Sequence, residues 1–240
     1  MQEKINAAGF LKKLKGLRSP SVAGAHRHLA ADEDDAILGV RMGQVFALAK
    51  EWLEMPLAEV EKMLESPIHE MRVGAVSILD FQARRKKTPA ARRKELFELY
   101  IRRHDRINTW DLVDRSAPHV VGGYLLDKRR KILYELARSK KMAERRTAIV
   151  STLYFIGQGD VEDAFKIAEI LLDDEQDLIH KATGWALRFA GDKDRPRLLA
   201  FLDRHAAAMP RVTLRYAVEH FEKKQRDHYL GIRPGMSDKD

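Results

Sequence analysis

Apolar residues recur at spacings of three and four positions along almost the whole chain from about residue 35 onward. This spacing puts them on one face of an α-helix, so each such segment is predicted to form an amphipathic helix. Two-residue alternation between hairpin turns, the pattern of a β-strand, is not found in the sequence. We therefore predict an all-α protein. Clear helical segments are VFALAKEWL (45–53), LAEVEKMLES (57–66), MRVGAVSILDFQARR (71–85) and KELFELYIRR (94–103).

The helical segments also repeat. Small residues lie in similar apolar patterns at Ala75, Ala148, Gly184 and Ala217, at intervals of 73, 36 and 33 residues, and Ala117 lies near the midpoint of the longest interval. A period in the mid-thirties is typical of a helix pair, and stacked pairs form a solenoid with a concave surface. The small residues would let neighbouring helices approach closely. We predict a repeat domain over residues 35–226, preceded by a weakly patterned, partly helical segment (1–34) and followed by a tail (227–240).

The charge balance favours a polyanionic partner. The 240 residues include 44 Lys and Arg against 36 Asp and Glu, which gives a net charge of +8 and a pI near 9.6. Several basic residues lie in or next to the helices that carry the small residues, and on one side of a solenoid they would form a stripe able to contact phosphates. A solvated basic surface without a nucleic-acid role is the alternative. The predicted DNA-binding residues are Arg72, Arg145, Arg146, Lys181, Arg188 and Arg215.

Other classes of function lack their motifs. Cysteine is absent, which excludes disulfides and thiolate metal sites. The HEMRV segment (69–73) begins like a zinc-protease motif but has Val73 where the second His is needed. The sequence has neither a phosphate-binding loop nor a dinucleotide-binding glycine motif, so we expect no metal and no cofactor. A signal peptide and a membrane-spanning apolar stretch are also missing, and a cytoplasmic protein is expected.

The segment NTWDLVDRSAPHVVGGY (108–124) places two carboxylates beside a Trp in this basic chain. Asn108 or Thr109 can begin a helix, with Asp111 in its first turn, where the helix dipole stabilises a negative charge. Pro118 should end or kink that helix near Ser116 or Ala117, which leaves Asp114 near the end where the dipole disfavours it. Trp110 and Asp114 are four residues apart and share a face. Asp111 is therefore interpreted as structural and Asp114 as functional, with an ion pair to Arg115 as the structural alternative.

The sequence resembles the HEAT-like-repeat alkylpurine DNA glycosylases, the AlkD type of DNA alkylation repair enzymes. The resemblance covers roughly residues 35–222. It implies a right-handed superhelical solenoid of HEAT-like helix pairs with a concave basic face. It also implies catalysis by Asp114, flanking aromatic contacts from Trp110 and Trp185, and a phosphate contact from Arg146. It rests on WDLVDRSAPHVVGGYL, ERRTAIVSTLYF, HKATGWALR and PRVTLRYAVEHF, in that order, with LGVRMGQVFALAKEW and SPIHEMRVGAVSIL in support.

The activity implied by the resemblance is the hydrolysis of the N-glycosidic bond of purines that carry a cationic N3 or N7 alkyl group in duplex DNA. Asp114 would stabilise an oxocarbenium-like sugar and position the attacking water. The expected partner is double-stranded DNA with alkylated purines, bound by a monomer in the bacterial cytoplasm or nucleoid. The alternatives are a non-catalytic protein that binds distorted DNA and a helical-repeat scaffold for protein interactions.

Overall fold

The structure is a computed structural model that describes residues 5–26 and 35–232. Within these ranges all regular secondary structure is helical, and the one β-type pairing is an isolated bridge between Ala36 and Ile68. The prediction of an all-α protein is confirmed.

The described residues form two compact units, unit 1 up to residue 124 and unit 2 from residue 125, each with its own core. The predicted boundaries at residues 34 and 226 remain a prediction, and residues 1–4, 27–34 and 233–240 lie outside the described residues. The solenoid remains a prediction. Unit 1 contains α1 (Ala7–Gly16), α2 (Pro20–His26), α3 (Met42–Glu51), α4 (Leu57–Leu64), α5 (His69–Arg84), α6 (Ala90–Arg102), α7 (Trp110–Ala117) and a π-helical turn (Pro118–Gly122). The short helix α8 (Gly123–Leu125) includes the last residues of unit 1 and the first residue of unit 2. Unit 2 contains α9 (Lys131–Leu136), α10 (Met142–Gly157), α11 (Glu162–Ile170), α12 (Asp177–Lys193), α13 (Arg195–His205), α14 (Arg211–Ala217) and α15 (Lys223–Gly231).

Helix α5 is the centre of unit 1. Fourteen of its sixteen residues are buried, and α3, α4 and α7 all pack against it. Helix α1 also reaches this core, because Phe10 and Leu14 are fully buried and the Phe10 ring meets the edge of Trp52 at 5.7 Å. Residues 7–16, predicted to be weakly patterned, thus contribute to the core of unit 1.

The segment before α5 is held by a close backbone approach. Gly39 has a φ of +84°, and a β-carbon there would lie 2.4 Å from the carbonyl oxygen of Ser19. The Gly39 carbonyl accepts a hydrogen bond from the Ser19 backbone N–H at 2.9 Å. Glycine is required here because other residues rarely adopt this φ and because a side chain would collide with the Ser19 backbone. Gly39 therefore allows the LGVR segment to pack against the start of α2.

Unit 2 is built around α12, which packs against α10, α11, α13 and α14. Helices α12 and α14 approach closely at Gly184, where a β-carbon would lie 2.6 Å from the Thr213 carbonyl oxygen and 2.5 Å from the Tyr216 β-carbon. The absence of a side chain at Gly184 therefore allows α12 and α14 to touch. The other small residues of the repeat pattern are buried as well: Ala75, Ala117, Ala148 and Ala217.

We expect Gly184→Ala to lower the free energy of unfolding by about 1–3 kcal/mol, because the added methyl group forces α12 and α14 apart. Gly157→Ala is the matched control, since Gly157 is also helical and a β-carbon there meets nothing within 4 Å. This control should be neutral or slightly stabilising. Urea unfolding of both variants measures the difference. Equal stability of the two variants would contradict the close helix contact.

Candidate nucleic-acid interface

Helix α7 carries the two carboxylates and the Trp of the NTWDLVDRSAPHVVGGY segment. Thr109 is at its N-cap position, and Trp110, the first helical residue, is 36% exposed. Asp111 lies in the first turn, as predicted, and Asp114 follows one turn after Trp110 with a partly exposed side chain. Residues four apart lie on one face of a helix, so Trp110 and Asp114 present an indole and a carboxylate side by side.

Asp111 is anchored to the buried helix α5. One of its carboxylate oxygens lies 2.7 Å from Nε2 of His69, whose side chain is fully buried. Burial disfavours the charged form of Asp111, but the hydrogen bond and the electrostatic attraction between Asp111 and His69 outweigh this, and the pKa of Asp111 lies below its usual range. Asp111 therefore has a structural role that goes beyond the favourable helix dipole.

A second anchor holds the residue before the N-cap. Arg72 of α5 donates to Asn108 Oδ1 at 3.1 Å and to Asp35 Oδ2 at 2.6 Å. The Arg72 side chain is 0% exposed. A guanidinium without exposed surface has no access to a phosphate, so this geometry argues against the predicted DNA contact of Arg72. Its role is to join the loop before α3 and the start of α7 to α5.

The helix does not stop at Pro118. The α-helical part ends at Ala117, as predicted, but the chain continues through the π-helical turn into α8. Pro118 has no N–H to donate to the Asp114 carbonyl, and the Gly123 N–H instead bonds to the Pro118 carbonyl, five residues back. Asp114 is thus followed by further helical backbone. Asp114 therefore does not lie at the carboxyl end of the helical segment, where the helix dipole would disfavour its charge.

The sequence offers Arg115 as an ion-pair partner for Asp114, but the structure pairs Arg115 with Asp80 of α5. Arg115 Nη1 lies 3.0 Å from Asp80 Oδ2, and Arg115 Nε donates to the Ser77 hydroxyl at 3.0 Å. Burial lowers the pKa of Arg115, and the nearby carboxylate of Asp80 opposes this shift. Arg84 and His119 also contact Asp80, which is fully buried.

The sequence reasoning missed this Asp80 cluster, although it left a signal. Asp80 and Arg84 are four residues apart, as are Arg115 and His119, so each pair shares one helix face. What the spacing could not provide was the contact between the two helices.

In unit 2, Lys181, Trp185 and Arg188 project from one side of α12, at four- and three-residue spacings. Trp185 is partly exposed, and its ring centroid lies 5.9 Å from that of Phe189, which is 38% exposed. The Arg188 guanidinium lies over the Phe189 ring and pairs with Glu219. Phe189 is a second exposed aromatic ring beside basic residues, and the sequence analysis did not select it.

Lys181 and Arg215 are the most accessible of the predicted DNA-binding residues in unit 2. Lys181 pairs with Asp177 at 2.6 Å on the helix surface, and the hydrogen bond from Lys181 lowers the pKa of Asp177. Arg215 is exposed on α14 and also interacts electrostatically with Asp177. Exposed pairs of this kind are weak, so either cation can turn to a phosphate at little cost.

Arg145 and Arg146 are placed differently. The Arg145 guanidinium binds both carboxylate oxygens of Asp174 and the carbonyls of Ser139 and Lys140. Arg146 is 5% exposed and donates to the Leu178 carbonyl. These contacts join α10 to the start of α12 and argue against direct phosphate contacts from the two arginines.

Residues 5–26 and 35–232 contain neither a candidate metal site nor a candidate membrane-spanning helix. No three His, Asp or Glu side chains come together there as potential metal ligands. No helix in these ranges has the length and apolar character needed to span a membrane.

We expect Asp111→Ala to lower the free energy of unfolding by about 1–3 kcal/mol at pH 7, because it removes the partner of the buried His69 imidazole. A carboxylate with a lowered folded-state pKa stabilises the fold above its unfolded pKa of about 3.9, and this stabilisation is lost as the pH falls through the folded-state value. The deficit should therefore shrink below about pH 4. Urea unfolding between pH 3 and 7 measures it, with the exposed Asp173→Ala as control. A deficit that is the same at every pH would contradict the assignment.

Comparisons with known proteins agree with the resemblance found in the sequence. Among solved structures, a protein described as a predicted DNA alkylation repair enzyme from Enterococcus faecalis is similar to this chain with a TM-score of 0.66 and 15% sequence identity, over 86% of this chain and 97% of that one. At this identity the likeness shows the fold alone. No curated protein matches the sequence. The model of a family described as DNA alkylation repair enzymes matches residues 10–221. Because this match spans most of the chain, the protein belongs to the DNA alkylation repair enzyme family.

Proposed function

We propose that this protein is a DNA glycosylase that removes purines carrying a cationic N3 or N7 alkyl group from duplex DNA. The observation that carries the proposal is the pairing of a partly exposed carboxylate, Asp114, with an exposed indole, Trp110, on a helix anchored to the core. Membership of a DNA alkylation repair family supports it. A carboxylate and an aromatic face are the groups that a cationic sugar-like transition state requires.

The substrate supplies much of its own activation. Alkylation at N3 or N7 gives the purine a positive charge, so it can leave without protonation by a general acid. The bond between the sugar C1′ and the purine nitrogen breaks, its electron pair goes to the purine, and the purine departs neutral. The oxygen of a water molecule then bonds to C1′ and loses a proton, which leaves an abasic site. Charge therefore moves from the base to the sugar as the bond breaks.

Asp114 acts on this moving charge. Its carboxylate stabilises the oxocarbenium-like sugar electrostatically, and it orients the water and accepts a proton from it. The Trp110 ring packs against the deoxyribose and adds cation–π attraction to the developing charge. Asp111, one turn away from the reaction, keeps α7 in place through His69. In this proposal Asp114 takes part in the reaction, and Asp111 has a structural role.

Unit 2 contributes DNA contacts in this proposal. Lys181 and Arg215 bind backbone phosphates through exposed side chains, and Trp185 packs against a nucleotide, with Arg188 beside it. Arg146 and Arg145 act indirectly, because their contacts with the start of α12 set the position of Lys181 and Trp185. Since phosphate contacts release counterions from DNA, affinity should fall steeply as salt rises.

The proposal is tested by incubating the protein with duplex DNA that contains N7-methylguanine and measuring the released base. Asp114→Asn should reduce the single-turnover rate by at least about 100-fold, in the range expected when electrostatic stabilisation of a transition state is removed. Urea unfolding should find its stability close to that of the wild type, because Asp114 is partly exposed. If wild type and Asp114→Asn both bind DNA but release no base, the protein is a non-catalytic DNA-binding member of the family.

The phosphate contact of Lys181 has a matched control in Lys166. Each lysine is about half exposed on its helix and pairs with a carboxylate four residues before it, Asp177 or Glu162. We expect Lys181→Gln to weaken DNA binding and to reduce the slope of log affinity against log salt by about 1, because one phosphate contact is lost. Lys166→Gln should leave the slope unchanged. Equal effects would show that overall charge, not a contact at Lys181, controls binding.

A further inference from the structure

We propose that Arg84, Arg115 and His119 bind one backbone phosphate of duplex DNA, in a site organised by the buried carboxylate of Asp80. The inference deepens the proposed function and rests on it in one respect, because it takes DNA as the ligand. It does not depend on whether the protein cleaves the glycosidic bond.

The site is built around a carboxylate that solvent cannot reach. Asp80 is 0% exposed and lies near the carboxyl end of α5. Arg84 Nε donates to Asp80 Oδ1 at 2.9 Å and also lies 2.8 Å from Oδ2, and Arg115 Nη1 lies 3.0 Å from Oδ2. His119 Nδ1 lies 3.1 Å from Oδ1. Two helical segments thus bring three nitrogen-bearing side chains to one fixed point.

The charges of this cluster do not balance. One carboxylate faces two guanidinium groups, which leaves one positive charge even with a neutral imidazole. The Arg115 guanidinium is also withdrawn from water, because it lies 4.6 Å and 4.7 Å from the ring centroids of Phe46 and Phe81. Aromatic faces attract a cation but do not neutralise it. A second anion beside Asp80 would supply the missing negative charge.

Part of the cluster is open to such an anion. The side chains of Arg84 and His119 are 47% and 30% exposed, while that of Arg115 is 17% exposed. Arg84 contacts Asp80 through Nε, so its terminal nitrogens remain to donate to a further acceptor. Guanidinium groups bind phosphate oxygens through pairs of parallel hydrogen bonds, and a guanidinium already held by a carboxylate loses little freedom on binding.

The position of the cluster fits a role beside the proposed reaction. Arg115 follows Asp114 directly in α7, and His119 lies in the π-helical turn that continues this helix. Arg115 extends from α7 over α5 to Phe46 of α3. A phosphate held by Arg115 and His119 would be fixed by the same helical segment that carries Asp114. The site would therefore set the register of the DNA backbone relative to the catalytic carboxylate.

The test compares two adjacent arginines with almost equal exposure. Arg84 is 47% exposed and pairs with the buried Asp80, while Arg85 is 45% exposed and pairs with the exposed Glu54. Affinity for duplex DNA containing N7-methylguanine is measured between about 50 and 300 mM salt, a range that brackets physiological ionic strength. All variants also carry Asp114→Asn, so that the substrate persists. Urea unfolding of each variant is measured alongside. Both arginine variants should remain folded, because both side chains are half exposed and because Arg115 still pairs with the buried Asp80 when Arg84 is replaced.

We expect Arg84→Gln to weaken binding roughly three- to tenfold and to reduce the salt slope by about 1, while Arg85→Gln changes neither. Arg84→Lys, which keeps the charge, should restore the slope but only part of the affinity. Equal losses for Arg84→Gln and Arg85→Gln would overturn the site, as would no loss for either. If the Arg84 effect is found and the protein without Asp114→Asn releases no base, the glycosylase proposal fails and the phosphate site stands. If no variant binds DNA in a salt-dependent way, both fail.

Discussion

Buried polar side chains on α5 determine the geometry of unit 1. A buried charge without a partner is strongly destabilising, so each such group requires a fixed neighbour. Glu70 accepts three backbone N–H groups from residues 38–40, Arg72 binds Asp35 and Asn108, and His69 binds Asp111. These three residues lie in one turn of α5 and hold the loop before α3 and the first turn of α7. The position of Asp114 follows from them, because it lies in a helix whose start is tied at two points.

The same requirement divides the basic residues into two groups. Arg72, Arg145 and Arg146 are largely withdrawn from solvent and bind carboxylates or backbone carbonyls. They belong to the architecture, although they lie beside the small residues of the repeat pattern. Lys181 and Arg215 keep exposed side chains with weak partners, and Arg84 keeps half of its surface. A net charge of +8 therefore overstates how many basic side chains are available to DNA. The available ones either pair with an exposed carboxylate or, like Arg84, share one carboxylate with another cation.

The sequence predicted those features that depend on residues close together in the chain. Three- and four-residue spacing predicted the helices, the position of Asp111 after Thr109 predicted its first-turn location, and Pro118 marked the end of the α-helical part of α7. Features that depend on contacts between helices could not be predicted from the sequence. Asp35 and Asn108 are 37 and 36 residues from Arg72, and Asp174 is 29 residues from Arg145, so nothing local marks these arginines as buried. The continuation through the π-helical turn was missed because proline predicts where a normal helix ends, and not which geometry replaces it.

In the proposed mechanism, two carboxylates three residues apart have different roles: Asp111 holds the helix and Asp114 performs the chemistry. Single-turnover release of N7-methylguanine from duplex DNA, measured for Asp111→Asn and Asp114→Asn at equal concentrations of folded protein, separates the two roles directly. We expect Asp111→Asn to be less stable to urea but to keep most of the wild-type rate per folded molecule, while Asp114→Asn keeps its stability and loses the rate. A full rate in Asp114→Asn, or an equal loss of rate in both variants, would contradict these roles.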